Sequence, residues 1–193
     1  MDTLTVQLSY YSHREEYKLL LVNGQKTKLR YDEAGGSVSQ GEFGSMLQEV
    51  FTPSAEAVFS WDSSSTLRGR AVQVYRYSVT AANAHYQLSF NTDERRFTAT
   101  AGRHGLVYVD AAGEILRITS EADALPANFP IDKLHATLDY DFTDIGGRSF
   151  LVPHTALVEM QAGILGSKNE IEFRDYRKFS AEAGISFDTQ IKK

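Results

Sequence analysis

The sequence predicts a mainly β protein of the α+β class: a curved antiparallel meander, or unclosed half-barrel, of about 11–12 strands. Three observations support this prediction. Apolar and polar residues alternate through most of the chain, turn signals recur about every 8–12 residues, and a single segment has the helical period of about 3.6 residues. We expect this one principal helix to lie on the concave side of the sheet.

Length and composition indicate one globular domain over residues 1–193. We place strands within 3–31 and 57–187, the helix at about 40–52 and a frayed tail at 188–193. The net charge of −5 argues against a nucleic-acid partner, because phosphate binding needs a basic surface. The absence of cysteine excludes disulfides and thiolate metal sites. No segment approaches the roughly 20 apolar residues of a membrane-spanning helix.

The first strands are predicted by strict alternation over residues 4–10, followed by a second strand at 17–22. Asn23-Gly24 comes next, and this dipeptide favours a type I′ hairpin turn because both central residues need a positive φ. We expect the return strand at 26–31.

The helix is predicted by a capping box and an apolar stripe. Ser39 and Glu42 have the S-x-x-E spacing, and Pro53 marks the end of the helix. The stripe is typical of a helix packed on a sheet, and a partner-binding helix is the alternative. It consists of Phe43, Met46, Leu47, Val50 and Phe51.

The rest of the chain alternates strands with turns. Ser63-Ser64-Ser65 is interpreted as a solvated turn, and the two prolines within 125–130 exclude regular structure there. The predicted strands cover residues 57–61, 67–80, 86–90, 97–101, 106–110, 114–119, 134–142, 149–152, 155–161, 170–179 and 185–187.

No motif for phosphate binding, serine hydrolysis or zinc ligation occurs, so we assign no cofactor, no metal and no catalytic residue. His135, Asp139 and Asp141 share one face of a predicted strand. That pattern is typical of a solvated strand face. A metal site or an acid–base pair is the alternative.

Aromatic residues are abundant: ten tyrosines, eleven phenylalanines and one tryptophan form 11% of the chain. An aromatic-rich core explains this, and so does a curved sheet whose rings line an apolar cavity beneath the helix. For the second interpretation we predict that the ligand-binding residues are Phe43, Leu47, Phe51, Trp61, Tyr75, Tyr77, Tyr108, Tyr140 and Phe142. Replacing Phe43 or Leu47 by Ala is then expected to weaken uptake of a fatty-acid analogue, whereas Glu49→Ala is not.

Three stretches carry a family resemblance: GEFGSML at 41–47, YDFTDIGGR at 140–148 and NEIEFRDYRKF at 169–179. From about residue 39 to 187 the chain resembles the LolA/RseB-type periplasmic fold, an unclosed barrel whose concave face is covered by helix. It is also similar to uncharacterised secreted proteins of soil bacteria. Three strands precede the helix here, unlike in the lipoprotein carrier, and no functional residue of the family is carried over. The resemblance implies a periplasmic or secreted bacterial protein whose leader has been removed.

Three hypotheses follow for the function. The first is a non-enzymatic envelope protein that binds a hydrophobic small molecule or lipid moiety, such as an acyl chain, in the aromatic-lined sheet. The second is a ligand-free domain on the same fold that interacts with an envelope protein or senses stress. The third, ranked last, is a hydrolase that uses His135 with Asp139 or Asp141.

Overall fold

The computed structural model describes residues 2–12, 14–34, 41–85, 87–91 and 96–178. These residues form twelve strands and one α-helix. In chain order they are β1 (Leu4–Tyr11), β2 (Arg14–Val22), β3 (Gln25–Lys26), α1 (Ser45–Phe51), β4 (Val58–Leu67), β5 (Arg70–Val79), β6 (Gln87–Asn91), β7 (Arg96–Thr100), β8 (Gly102–Asp110), β9 (Ile115–Asp123), β10 (Lys133–Asp144), β11 (Ser149–Ala162) and β12 (Leu165–Glu172).

The strands belong to three antiparallel sheets, none of which closes into a barrel. The largest has seven strands in the order β12-β11-β10-β9-β8-β5-β4. β6 and β7 come between β5 and β8 in the chain and form a separate two-stranded sheet. β1, β2 and β3 form the third sheet. The predicted fold class, a mainly β antiparallel and unclosed structure with one helix, is confirmed.

The N-terminal hairpin turns at the predicted dipeptide. Asn23 and Gly24 have φ values of +51° and +77°, as a type I′ turn requires. The return strand is shorter than predicted, since only Gln25–Lys26 pairs with β2. A short 3-10 turn at Tyr31–Glu33 then brings Tyr31 onto Tyr17, with ring centroids 5.0 Å apart. This packing draws the segment away from continued strand pairing.

The helix begins later than predicted. Residues 41–44 form a turn, α1 starts at Ser45, and a 3-10 turn at Pro53–Ala55 follows its end. Ser39 lies outside the described residues, and so does the predicted capping box. Gly44 at the N-cap has no side chain to accept a hydrogen bond, and a carboxylate from β2 takes this role instead.

Several strand boundaries differ from prediction, and three of the differences change the reading of a segment. The serine run lies inside β4 rather than in a turn, and the chain reverses at Arg68-Gly69, whose φ values are +46° and +79°. β11 is continuous where two strands were predicted. A bulge at the position opposite Asp139 and Tyr140 lets it continue past Pro153. The last strand is Leu165–Glu172 instead of 170–179, and 185–187 lies outside the described residues.

The main core lies between α1 and one face of the large sheet. Met46 and Val50 of the helix pack with Ile118 and Leu138, the last two fully buried. Glu49, expected on the outer side of the helix, is also buried.

Tyr77 lies directly over Gly105 on the neighbouring strand. A Cβ atom at Gly105 would stand 2.9 Å from the Tyr77 ring and 2.0 Å from the Thr119 carbonyl oxygen. The glycine therefore provides the space in which the tyrosine ring is buried.

Arg68 links the β4–β5 hairpin to β10 across the large sheet. Arg68 lies in the β4–β5 turn, and β5 is three strands away from β10. In a flat sheet that separation is about 14 Å at the usual strand spacing. The Arg68 Nη1 atom nevertheless lies 2.7 Å from Asp139 Oδ1 on β10. The hairpin and the long Arg68 side chain together bridge this separation.

Candidate functional site

The nine residues predicted to line a cavity occupy different environments. Tyr77 and Tyr140 are buried in the core. Phe51, Trp61 and Phe142 are exposed at the surface. The remaining four are partly buried: Phe43, Leu47, Tyr75 and Tyr108.

The two buried tyrosines fill the interior beneath the helix. Tyr77 donates a hydrogen bond from its hydroxyl to the Thr119 carbonyl at 2.9 Å. Tyr140 is 4% exposed, and burial raises the pKa of its hydroxyl. Leu47 packs against the same cluster from the helix. These three side chains occupy volume that an enclosed ligand would need.

Phe43 lies in a different place, in a cluster of aromatic rings between the three-stranded sheet and residues 173–176. Its ring centroid is 5.4 Å from that of Tyr10, 5.9 Å from that of Phe173 and 6.1 Å from that of Tyr176. The side chain therefore holds three parts of the chain together.

Glu15 of β2 provides a second link in this region. Its Oε1 atom accepts hydrogen bonds from the backbone N–H groups of Gly44 and Ser45 and from the Ser45 hydroxyl, each at 2.9 Å. Its Oε2 atom accepts one from Gly41 N–H at 3.1 Å and one from the Tyr17 hydroxyl. Burial alone raises the pKa of Glu15, but these donors lower it more, and the result lies below the ordinary value. The carboxylate thus caps α1 from thirty residues away in sequence.

Tyr108 and Phe142 are covered by cations. The Arg117 guanidinium lies 5.9 Å from the centre of the Tyr108 ring, and that of Arg70 lies 5.3 Å from the centre of the Phe142 ring. Tyr108 packs against a second cluster, under the β4–β5 hairpin, that contains Val74. These rings therefore do not share a space with the tyrosines below the helix.

The polar face of the large sheet is organised around Asp139. Its carboxylate accepts two hydrogen bonds from Arg117, at 2.9 and 2.8 Å, and one from Arg68 at 2.7 Å. Arg68 also donates to the Tyr140 carbonyl at 2.6 Å. The pairing of β9 with β10 ends at Arg117 and Asp139. The hydrogen bond from Arg68 to the β10 backbone therefore lies at the point where this pairing ends.

A groove of about 700 Å³ opens on this polar face. It shares no residue with the nine predicted ligand-binding side chains. Its wall is formed by Arg117, Thr137, Asp139, His154, Thr155, Ala156, Leu157, Glu170, Ile171 and Glu172. Seven of these ten residues have polar or charged side chains, and Ala156, Leu157 and Ile171 supply apolar surface.

The hydrolase hypothesis receives no support from the geometry. His135 lies 3.4 Å from Glu121 and 3.2 Å from the Thr137 hydroxyl, whereas Asp139 binds two arginines. Asp141 accepts a hydrogen bond from the Phe142 backbone N–H. Across the described ranges, no group of three His, Asp or Glu side chains is placed to hold a metal ion.

The most distinctive surface lies on β4, an edge strand of the large sheet. Phe59 is 42% exposed and Trp61 is 61% exposed, and alternation places both on the same face of the sheet. Phe51 at the end of α1 stacks on Phe59, with ring centroids 5.4 Å apart. We call Phe51, Phe59 and Trp61 the β4 aromatic edge.

The strand predicted over 57–61 places Phe59 and Trp61 on one face, and the cavity prediction turned Trp61 inward. The alternation correctly puts them on one face. It does not reveal that β4 is an edge strand, where part of that face extends beyond the cover of the helix. The pairing order of the strands was the missing information.

The two edges of the large sheet differ in charge. β12 has Lys168, Glu170 and Glu172 at alternating positions, with Lys168 Nζ 2.6 Å from Glu170 Oε1. β4 contains no lysine, arginine or proline, and its one charged residue, Asp62, is paired with Arg76 at 2.5 Å. Charged edges resist pairing with other chains, so β4 is the less protected edge.

Comparison of this chain with protein-family models, with curated proteins and with solved structures found no match. The resemblance to the LolA/RseB-type fold therefore stays a prediction. None of the helices in the described residues has the length and apolar character needed to cross a membrane.

Proposed function

We propose that this chain is a non-enzymatic protein-interaction domain whose binding surface is the β4 aromatic edge. One observation carries the proposal: three exposed rings, Phe51, Phe59 and Trp61, lie together at the sheet edge whose one charged side chain is paired within the chain. Domains that recognise peptides by strand addition combine a free edge with apolar side-chain contacts.

The backbone of β4 supplies the first half of such a surface. It pairs with β5 from Val58 to Leu67, and within the described residues no strand pairs with its other side. The outward N–H and C=O groups of an edge strand are available to an extended segment. Every partner segment can use these groups, whatever its sequence.

The rings supply the second half. Trp61 and Phe59 are large apolar side chains of the kind that dominates binding energy at interfaces. The Trp61 indole N–H donates to Gln73 Oε1 at 3.0 Å, which holds the ring in place before a partner arrives. An aromatic row that is already ordered loses less entropy on binding.

The carrier hypothesis has a weaker basis in this geometry. Tyr77 and Tyr140 below the helix are buried in the core, and seven of the ten residues that line the groove on the other face have polar or charged side chains. An acyl chain would have to lie on the β4 aromatic edge itself, in contact with solvent.

Panning of the immobilised protein against a random nine-residue peptide library tests the proposal. We expect peptides with alternating apolar residues, which on binding shift the emission of Trp61 to shorter wavelength. Trp61 is the single tryptophan, so the signal reports this edge alone. Phe59→Lys should abolish binding, and the matched Leu165→Lys on the β12 edge should not.

A fluorescent fatty-acid analogue provides the competing measurement. Uptake by the parent protein that weakens in Leu47→Ala, with no peptide bound at β4, would contradict the proposal and support the carrier. Gln48→Ala is the suitable control there, because Gln48 is exposed whereas Glu49 is buried and lies 3.1 Å from Arg103.

A further inference from the structure

The β4 aromatic edge is self-complementary about Ser60. Phe59 and Trp61 lie on either side of this residue and on the same face of the sheet. We propose that the occupant of the edge is a second copy of this chain, paired antiparallel through β4 with a two-fold axis at Ser60. The inference rests on the proposed function and names its partner.

The register follows from the symmetry. In an antiparallel pair with the axis at Ser60, Phe59 stands opposite Trp61 of the second copy, and Trp61 stands opposite Phe59 of the second copy. Directly opposite aromatic side chains stabilise antiparallel strands. Phe51 extends the row on each copy because it already stacks on Phe59. Shifting the register by one residue would place rings on opposite faces.

The charges permit this contact. From Val58 to Trp61 the strand carries no charged side chain. Asp62 would come close to the second copy, but Arg76 neutralises it at 2.5 Å within its own chain. A basic or acidic partner segment would find no unpaired charge on this stretch, whereas a second copy brings matching apolar groups.

The strand geometry limits the assembly to two copies. A bulge between Trp61 and Ser63 interrupts the regular pairing of β4 with β5, which favours a short intermolecular ladder centred on Ser60. A two-fold contact uses the same edge of both copies and leaves none for a third. The other edge of each sheet carries the charges of β12, which oppose further growth.

Disulfide cross-linking tests the register, and the chain is convenient because it contains no cysteine. In the proposed dimer the two Ser60 Cα atoms lie about 4.5–5.5 Å apart, within the range of a disulfide. The two Ser64 Cα atoms would lie about 27 Å apart along the strands. Ser60→Cys should therefore form a covalent dimer under mild oxidation, and the equally exposed Ser64→Cys should not. Equal cross-linking of the two variants would overturn the register.

Sedimentation velocity of the unmodified chain tests the association itself. We expect the sedimentation coefficient to rise with concentration, and Phe59→Lys to weaken the dimer at least about tenfold while Leu165→Lys does not. A monomer at every concentration up to about 1 mM would overturn the inference. If that monomer still binds selected peptides with a shift of Trp61 emission, the proposed function stands without the second copy. If the chain binds neither a second copy nor the selected peptides, the inference and the proposed function both fail.

Discussion

Two neighbouring rows of residues cross the same five strands and face opposite sides of the large sheet. One row is Val107, Ile118, Leu138, Ala156 and Ile171, and the next is Tyr108, Arg117, Asp139, Thr155 and Glu172. The first row contacts the main core under α1. In the second row, Arg117, Asp139, Thr155 and Glu172 line the groove. A step of one residue thus separates the most apolar and the most charged surfaces of this sheet.

One ion-pair arrangement on each face can be compared, and the two differ in their surroundings. Glu49 and Arg103 lie on the covered face with side chains 4% and 8% exposed. On the open face Asp139 is 12% exposed, but Arg68 and Arg117 are 38% and 31% exposed. Water therefore solvates the second set of charges even when a partner is removed. Losing a partner should cost more on the covered face.

The largest effect is expected for Arg103→Met. This change leaves the Glu49 carboxylate buried without its cation, which costs about 3–5 kcal/mol of unfolding free energy. Urea denaturation measures the loss. The double variant Arg103→Met with Glu49→Leu should recover part of it, because it removes both charges. Strictly additive losses would show that the two side chains do not interact.

A cavity on the covered face comes next. Leu138→Ala should cost about 2–5 kcal/mol, because Leu138 is fully buried under the helix. Leu157→Ala is the matched control, since Leu157 is partly buried on the open face and borders the groove. The Leu157→Ala variant should lose less than half as much unfolding free energy as Leu138→Ala, measured by urea denaturation. Equal losses would contradict the division of the sheet into a covered and an open face.

On the open face, Asp139→Asn should cost about 1.5–3 kcal/mol through the weakened bonds to Arg68 and Arg117. Hydrogen exchange should also speed up in the β4–β5 turn, because Arg68 holds this turn over β10. Asp141→Asn, two residues along the same strand, should change stability by less than about 0.5 kcal/mol. Unchanged exchange at the turn would mean that Arg68 does not hold the hairpin.

The smallest effect concerns Glu15, outside both rows. Its pKa in the folded chain is below the ordinary 4.5, so its carboxylate stabilises the fold above that pH. This stabilisation by the Glu15 carboxylate is lost progressively as the pH falls below 4.5 and then through the lowered pKa, because the group becomes protonated. Thermal unfolding should be measured between about pH 6 and 2. At about pH 6 the Glu15→Gln variant should be less stable than the parent by about 0.5–2 kcal/mol, and at about pH 2 the two should be equally stable. Glu16→Gln, next along the strand and exposed, should follow the parent curve throughout.

Local signals account for the parts of the fold that were predicted correctly. Alternation identified the strands because residues on a half-buried strand change sides at every step, and Asn23-Gly24 identified a turn because its geometry needs a positive φ. The apolar stripe located the helix. Its start was wrong because the capping acceptor, Glu15, comes from another strand.

The serine run shows the limit of composition. Ser63-Ser64-Ser65 has the polarity of a turn, but on an edge strand the same side chains face solvent while the backbone pairs with β5. The true turn at Arg68-Gly69 was missed because the strand predicted over 67–80 ran through it, although Gly69 is a local turn signal. The edge position of the serines cannot be read from neighbouring residues.

The sequence by itself determined the β-rich class, the position of the helix, and which residues share a face, because these depend on contacts within a few residues. Only the tertiary structure decided which strands became edges, which rings were buried together, and which charges were paired. These outcomes depend on strand order and curvature, which bring residues such as Arg68 and Asp139 together from seventy-one positions apart. Long-range packing leaves no periodic signal in the sequence, and for that reason the β4 aromatic edge became visible only in the folded chain.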